Sequence, residues 1–265
     1  MSETEPHLLV ERDEHIVTLT MNRPEARNAL SAEMLGRLCD AWELINADVG
    51  IRVAVLTGAG ATFCAGADLK AMTGTYDDEW GKRLQADPML AWKGLLRNYR
   101  VTKPLIAAVE GYCVAGGTEI LQSTDIRIAA ETAQFGIAEV TRGLFPMGGS
   151  TVRLRRQIPY AKAMEMLLTG QRYTAEEALS FGLISRVVPD GQTLDEARKV
   201  AEQIAANGPL AVQAVKRSVQ ETEGLPEPEA LNVEFNIGWP VFATEDAREG
   251  PKAFAEKRPP TFKGR

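Results

Sequence analysis

The sequence predicts an α/β protein, and three observations carry that expectation. Short apolar runs of strand character recur along the chain, and several lead through a glycine-bearing turn into residues at helical spacing. From Thr174 onward the pattern becomes mainly helical. The composition is that of a globular chain, with 265 residues of which 45% are hydrophobic and 25% charged, enough for one large core or a core with an appendage.

The elements follow in order. "HIVTLTMNRPEARNAL" alternates into a strand and closes at Asn-Arg-Pro; Ser31 then caps a helix over "SAEMLGRLCDAWELINAD". "IRVAVLTGAG" is a second strand, and "ATFCAGADLKAM" predicts a tight turn into a short helix. Residues 74–100 have helical character interrupted by Gly81, Pro88 and Gly94, which predicts a mobile, broken helical segment. "KPLIAAVEGYCVAGG" repeats the theme of apolar strand, glycine turn and helix, and "DIRIAAETAQFGIAEV" predicts two short strands around Glu131 and Thr132. "TAEEALSFGLISRVVP" reads as a capped helix and a strand. Two amphipathic helices then break at Gly208-Pro209, and the end is helical too. The expected organisation is a core over 1–193 and a helical region over 194–265. With little core of its own, that region is expected to pack on another subunit.

Several function classes recede at once. His7 and His15 are the only histidines and both lie near the N-terminus, so a histidine-based triad or metal site has little to draw on, and no metal is expected. Proton transfer falls to carboxylates. Cys39, Cys64 and Cys113 are odd in number and far apart, which predicts buried thiols rather than disulfides or a zinc knuckle. The acidic start has no signal-peptide pattern, and no apolar run approaches the roughly 18 residues of a membrane span, so a cytoplasmic protein with no membrane association is expected. A net charge of −6 argues against nucleic acid as a partner. Residues 251–265 nevertheless carry a local +4, which leaves −10 on the other 250; that tail is either a solvated end or a receiver of phosphorylated ligand.

Two motifs fail on inspection. Gly58 and Gly60 follow a strand, but Phe63 stands where a dinucleotide fingerprint needs its third glycine. Gly143 and Gly148 have P-loop spacing, but Gly149 occupies the lysine position. The basic pairs Arg155-Arg156 and Lys216-Arg217 read as solvated helix faces.

"GYCVAGGTEILQSTDIRIAA" holds the most informative arrangement, with Gly116 and Gly117 just ahead of Glu119 and an apolar stretch. Glu119 is either an ordinary helix-start carboxylate or a desolvated one whose raised pKa suits proton exchange near neutrality. Ala67 in "CAGADL" and Gly116 in "VAGGTE" have amides free to point outward at glycine turns, and two such donors suit an oxyanion. A second acid, Glu139, follows Glu119 by 20 residues.

From "TMNRPEARNAL" to "AFAEKRPPTF" the chain resembles the crotonase (enoyl-CoA hydratase/isomerase) superfamily. The similarity is carried by "VAVLTGAGATFCAGADLKAM", "KPLIAAVEGYCVAGGTEILQSTDIRIAAETAQFGIAEVTRGLFPMGGSTVRL", "LLTGQRYTAEEALSFGLISRVVP" and "TEDAREGPKAFAEKRPPTF", in that order. The resemblance implies a spiral of ββα turns with C-terminal helices for trimerisation, assembled as a homotrimer or dimer of trimers, and an acyl-CoA thioester as substrate with no separate cofactor. It implies that Ala67 and Gly116 supply the oxyanion hole and that Glu119 and Glu139 are the hydratase pair. It further implies that Ala26, Arg27, Ala65, Asp68, Leu69 and Lys70 line the coenzyme path, with Phe254 and Lys257 reaching the nucleotide from a neighbouring subunit.

Both acids together imply an enoyl-CoA hydratase that adds water to a trans-2-enoyl-CoA, Glu119 activating water and Glu139 delivering the proton. The alternatives are an isomerase or carnitinyl-type dehydratase, or a non-catalytic acyl-CoA or RNA binder. Ala115 replaces a common glycine of the family, Ala138 a frequent proline, and Arg142 an often apolar residue, which bears on substrate choice. The segment 74–100, with Trp80 and Trp92, matches the family's variable acyl-pocket region. "VAGGTEILQSTDIR" and "PMGGSTVRL" are similar to actinobacterial hydratases, some of which act on bulky steroid side-chain thioesters, so fatty-acid or steroid side-chain degradation is the expected setting.

Overall fold

The computed structural model describes residues 5–68 and 78–265. The alternating stretch after His15 forms β2 (Ile16–Met21), which lies antiparallel to β1 (Leu8–Asp13) and parallel to β3 (Val53–Gly58). Strands β4 (Leu105–Val109), β6 (Ile126–Ala130) and β9 (Arg186–Val188) extend the parallel ladder, giving the order β1-β2-β3-β4-β6-β9. β3 and β4 are continuous apolar runs rather than alternating ones because both faces of this sheet are covered. On one face lies α1 (Ala32–Ala47), whose Met34, Leu38, Trp42 and Ile45 pack with Leu19, Met21 and Leu56. On the other, Ala197, Val200 and Ala201 of α8 (Thr193–Ala205) meet Val53, Val55, Ile106 and Ile128.

A second sheet has β5 (Tyr112–Val114) parallel to β7 (Gln134–Gly136) and β7 antiparallel to β8 (Arg172–Thr174). The stretch "KPLIAAVEGYCV" is therefore two strands in two sheets rather than one. Its ladder changes partners at Glu110 and Gly111, whose carbonyls accept from the Phe63 and Gln134 amides at 2.7 and 2.9 Å. The short α4 (Gly116–Leu121) follows β5 directly and is buried along its whole length.

Local capping signals hold where they were expected. The Ser31 side chain accepts the Met34 amide, Thr174 forms a capping box with Glu177 at the start of α7 (Ala175–Ser180), and Pro209 opens α9 (Pro209–Thr222) after Gly208. Within 74–100, α2 (Glu79–Ala86) and α3 (Met89–Gly94) part at Pro88 and end at Gly94, but Gly81 does not interrupt α2. The Asp78 carboxylate caps that helix by accepting the Gly81 amide at 2.5 Å. The short helix expected after Ala67 falls on residues outside the described ones. Among the described residues no helix is long and apolar enough to cross a membrane, and no group of three or more His, Cys, Asp and Glu side chains could hold a metal ion. All three thiols are buried and unpaired.

The chain continues through α5 (Ser150–Gln157), α6 (Tyr160–Thr169), α10 (Glu227–Gly238), a 3-10 turn at Trp239–Ala243 and α11 (Glu245–Ala255). α9 is tied to the main sheet by a residue read from sequence as solvated. Lys216 is only 9% exposed in its side chain, and its ammonium donates to Asp125 Oδ2 at 2.6 Å and to the Lys103 carbonyl at 2.8 Å. The same Asp125 oxygen accepts the Leu105 amide at 2.7 Å, so one carboxylate joins α9 to the first residue of β4. Asp125→Ala should strand that ammonium and cost about 3 kcal/mol, measured by urea unfolding, while Lys216→Met should cost less because no unpaired charge stays buried.

Candidate active site

Two chain segments that are far apart in sequence run side by side and turn at the same level. Cys64 and Cys113 form a parallel bridge, with the Cys64 amide donating to Tyr112 O at 2.9 Å and the Val114 amide to Cys64 O at 3.0 Å. Leu30 bridges Ala67 from the other side: its amide donates to Gly66 O at 2.8 Å, and its carbonyl accepts the Asp68 amide at 3.2 Å. In a parallel bridge the residue between those two bonds aims its own N–H away from the partner strand. The Ala67 amide is thus directed from Leu30 toward Gly116. A Cβ built on Gly116 would stand 3.5 Å from the Ala67 nitrogen and 3.0 Å from Leu30 Cδ1, so any side chain at 116 would fill the gap between the two turns. Among the described residues neither the Ala67 nor the Gly116 amide has a protein acceptor.

Ala115 makes this geometry at a conformational cost. Its backbone lies at φ 50°, ψ −125°, where glycine is favoured. The strained turn is clamped by the Ala115 amide on Gly136 O at 2.8 Å and by the Glu119 amide on Ala115 O at 3.0 Å. Thr118 Oγ1 adds a bond to Cys113 O at 2.5 Å, which pins the start of α4 to β5.

Glu119 is 4% exposed, and burial raises its pKa. Donors oppose that rise: the amides of Ser150 and Gly148, the Ser150 hydroxyl, and the charge of Arg153. The Ser150 amide donates to Oε1 at 3.4 Å from the first turn of α5. The carboxylate lies so close to Gly148 that a Cβ there would overlap it, which explains the glycine.

Glu139 opens a 3-10 turn, Glu139–Arg142, and its surroundings differ. Its Oε2 is buried and has no hydrogen-bond partner among the described residues. Burial first, and then the Glu119 charge, push its pKa up to about 7, opposed by its own backbone amide and then by the Arg142 charge. The two acids therefore share one electrostatic environment, yet donors surround one and none reaches the buried oxygen of the other. A pair separated in this way can hold one proton near neutral pH, one member basic and the other acidic.

Four of the residues expected along a ligand path cluster beside Ala67. Ala26 ends the turn Pro24–Ala26, the Arg27 carbonyl accepts the Ala65 amide at 3.0 Å, and Asp68 accepts from Arg23 Nη1 at 3.0 Å. Leu69 and Lys70 lie outside the described residues. Phe254, 87% exposed, and Lys257 lie at the end of α11, which packs on the 239–243 turn. Much of the tail charge is already matched, since Arg258 pairs with Glu249 at 2.6 Å and Arg265 with Glu245 at 3.3 Å. Trp80 packs on α1 between Arg37 and Arg83, at 5.0 and 5.6 Å. Sequence reasoning missed Gly148, Ser150 and Arg153 around Glu119. Their only sequence signal was a glycine pair ahead of a hydroxyl at a helix start.

The enoyl-CoA hydratase/isomerase family model matches residues 11–265. The enoyl-CoA hydratase EchA19 of Mycobacterium tuberculosis is 55% identical over 263 residues, covering 99% of this chain and 98% of the relative. The (E)-benzylidenesuccinyl-CoA hydratase of Thauera aromatica is 40% identical over 264 residues, covering 96% and 98%. A solved structure from Mycobacterium abscessus, described as an enoyl-CoA hydratase/isomerase, matches with a TM-score of 0.89 at 50% identity, covering 98% of this chain and 100% of that one. Fold and relatives together define the class, a crotonase-fold enzyme of the enoyl-CoA hydratase type. The chain belongs to the enoyl-CoA hydratase/isomerase family, and its nearest similarity among these proteins is to actinobacterial members.

Ala115→Gly should relieve the positive-φ turn and raise stability by about 1 kcal/mol in urea unfolding. In Glu119→Gln the loss of a neighbouring negative charge should bring Glu139 below its titration near 7, read from carboxyl carbon chemical shifts against pH.

Proposed function

We propose that this enzyme adds water to a trans-2-enoyl-CoA to give a 3-hydroxyacyl-CoA. The observation that carries the reading is the unequal pair of acids beside two amides that have no protein acceptor among the described residues. The Ala67 and Gly116 amides would hold the thioester oxygen. Glu119, kept ionised by its donors, takes a proton from a water as the water oxygen bonds to Cβ. The alkene electrons move to Cα and charge gathers on the thioester oxygen, where the amides meet it. Glu139 then protonates Cα, and the pair resets as Glu119 releases the proton it accepted to solvent and Glu139 takes one up.

Ala26, Arg27, Ala65, Asp68, Leu69 and Lys70 would follow the coenzyme arm, and Arg27 has further support. Its guanidinium lies 6.0 Å from the Tyr112 ring centroid and that of Arg172 5.3 Å, so two cations share one ring at the same surface. Phe254 and Lys257 would act across a subunit boundary, in a homotrimer or dimer of trimers. Exposed Phe235, Trp239 and Phe242 on the C-terminal surface support such assembly, with Phe235 stacked on Trp239 at a centroid distance of 5.4 Å and Phe242 tilted against Trp239 at 5.9 Å. Val140, Leu144, Phe145 and Met147, all exposed beside Glu139, suit a bulky apolar acyl group, as in fatty-acid or steroid side-chain degradation. Buried reduced thiols agree with a cytoplasmic setting.

Hydration of a graded set of 2-enoyl-CoAs, from four-carbon to steroid-sized, followed by loss of enoyl absorbance, tests this reading. Glu119→Gln and Glu139→Gln should each lower kcat by on the order of 10²–10⁴ with little change in KM. The wild type should lose kcat/KM as pH rises through about 7, because Glu139 must carry its proton, and that limb should vanish in Glu139→Gln. Unchanged turnover in Glu119→Gln would defeat the assignment.

A further inference from the structure

We propose that Gln122 and Ser150 form a positioning relay that orients the Glu119 carboxylate toward its water. The inference rests on the reading of Glu119 as the water-activating base. Gln122 follows Glu119 by three residues at the end of α4 and is 3% exposed. Its Nε2 donates to the Thr118 carbonyl at 3.1 Å and to Ser150 Oγ at 2.8 Å.

The order of donors follows from elementary hydrogen-bond chemistry. A carbonyl oxygen can only accept, so Thr118 determines which end of the Gln122 amide faces it; the reversed amide would set two oxygens against each other. The second hydrogen on Nε2 is then directed at Ser150 Oγ, which must accept. The single hydroxyl hydrogen of Ser150 is left to donate elsewhere, and the carboxylate alongside is Glu119, whose Oε1 meets the Ser150 amide at 3.4 Å and whose pKa the Ser150 side chain lowers.

Two further observations separate this arrangement from ordinary packing. Gln122 Oε1 is buried without a partner among the described residues, so the amide does not complete its own hydrogen bonding. An apolar residue of the same size would avoid that penalty, and what the glutamine adds at this position is the directed bond to Ser150. The backbone is held too: Gln157 Nε2 donates to the Gln122 carbonyl at 2.8 Å, and Gln157 Oε1 accepts from the buried Arg127 at 2.9 Å. Arg153, on the same helix as Ser150, directs its guanidinium to Ser123 Oγ and the Leu96 carbonyl at 2.6 and 2.5 Å. It acts on Glu119 through its charge and not through a hydrogen bond, while Glu139 faces the same carboxylate as a like charge. The orientation of Glu119 is therefore left to neutral donors.

The test is the acid limb of kcat/KM for enoyl-CoA hydration, together with carboxyl carbon titration of Glu119. Ser150→Ala removes a donor to the charged form, so Glu119 should hold its proton to higher pH. The acid limb should move up by about one unit, a loss of about tenfold below it, with KM little changed. Ser150→Thr keeps the hydroxyl and should return the limb to its place. Gln122→Met keeps the volume and should shift the limb in the same direction by less. In the double variant the Gln122 effect should disappear, because the relay passes only through Ser150. Wild-type limbs and titrations in both single variants, or additive shifts in the double variant, would overturn the relay. Should the wild type hydrate none of the enoyl-CoAs, the proposed reaction fails, and the Glu119 titration in the same variants still decides the relay.

Discussion

The structure turns on two backbone amides that are brought to one gap and that have no protein acceptor among the described residues. Gly116 is buried, where an N–H without an acceptor is costly, while Ala67 is exposed. Here the arrangement is imposed by strand pairing. Leu30 takes the bonds on one side of Ala67 and leaves its amide on the other, and Ala115 turns through a positive φ to start α4 with Gly116 facing the same gap. The absence of a side chain at 116 keeps that gap open. In the proposed reaction the thioester oxygen is what fills it.

The acids are arranged around this gap by contrast rather than by likeness. Both are removed from water, and burial leads the upward shift of each. The start of α5, with Gly148 and Ser150, supplies donors to Glu119, whereas the buried oxygen of Glu139 has none among the described residues. The Glu119 charge also raises the pKa of Glu139, so the separation of roles belongs to the pair. The same helix start that stabilises the Glu119 carboxylate carries the Ser150 hydroxyl to which Gln122 is directed. Base, helix terminus and relay thus share one small volume.

Particular residues show how far sequence reasoning reached. Ser31, Thr174 and Pro209 were legible because a cap or helix start depends on a few neighbouring residues. Glu119 and Glu139 stood out because carboxylates beside glycines and apolar residues are unusual. Gly81 misled, since its sequence context does not reveal that Asp78 would cap the helix around it. The division of 105–114 between two sheets was hidden because the run is apolar throughout and its hydrogen-bond partners, Phe63 and Gln134, lie far away in the chain. Lys216 looked like half of a surface pair until Asp125 was found beneath it.

By itself the sequence determined the elements, their caps, the glycine turns and the supply of acids, because these depend on local propensity and on residue chemistry. Tertiary structure decided which turns meet, which donors surround each acid and which polar residues are buried. Ala67 and Gly116 come together only through parallel pairing at Cys64 and Cys113, and Glu119 meets Ser150 only because the loop ahead of α5 folds back over α4. Desolvation and charge coupling act through space, so the proton affinity of a carboxylate is set by what packs against it and not by its neighbours in the chain.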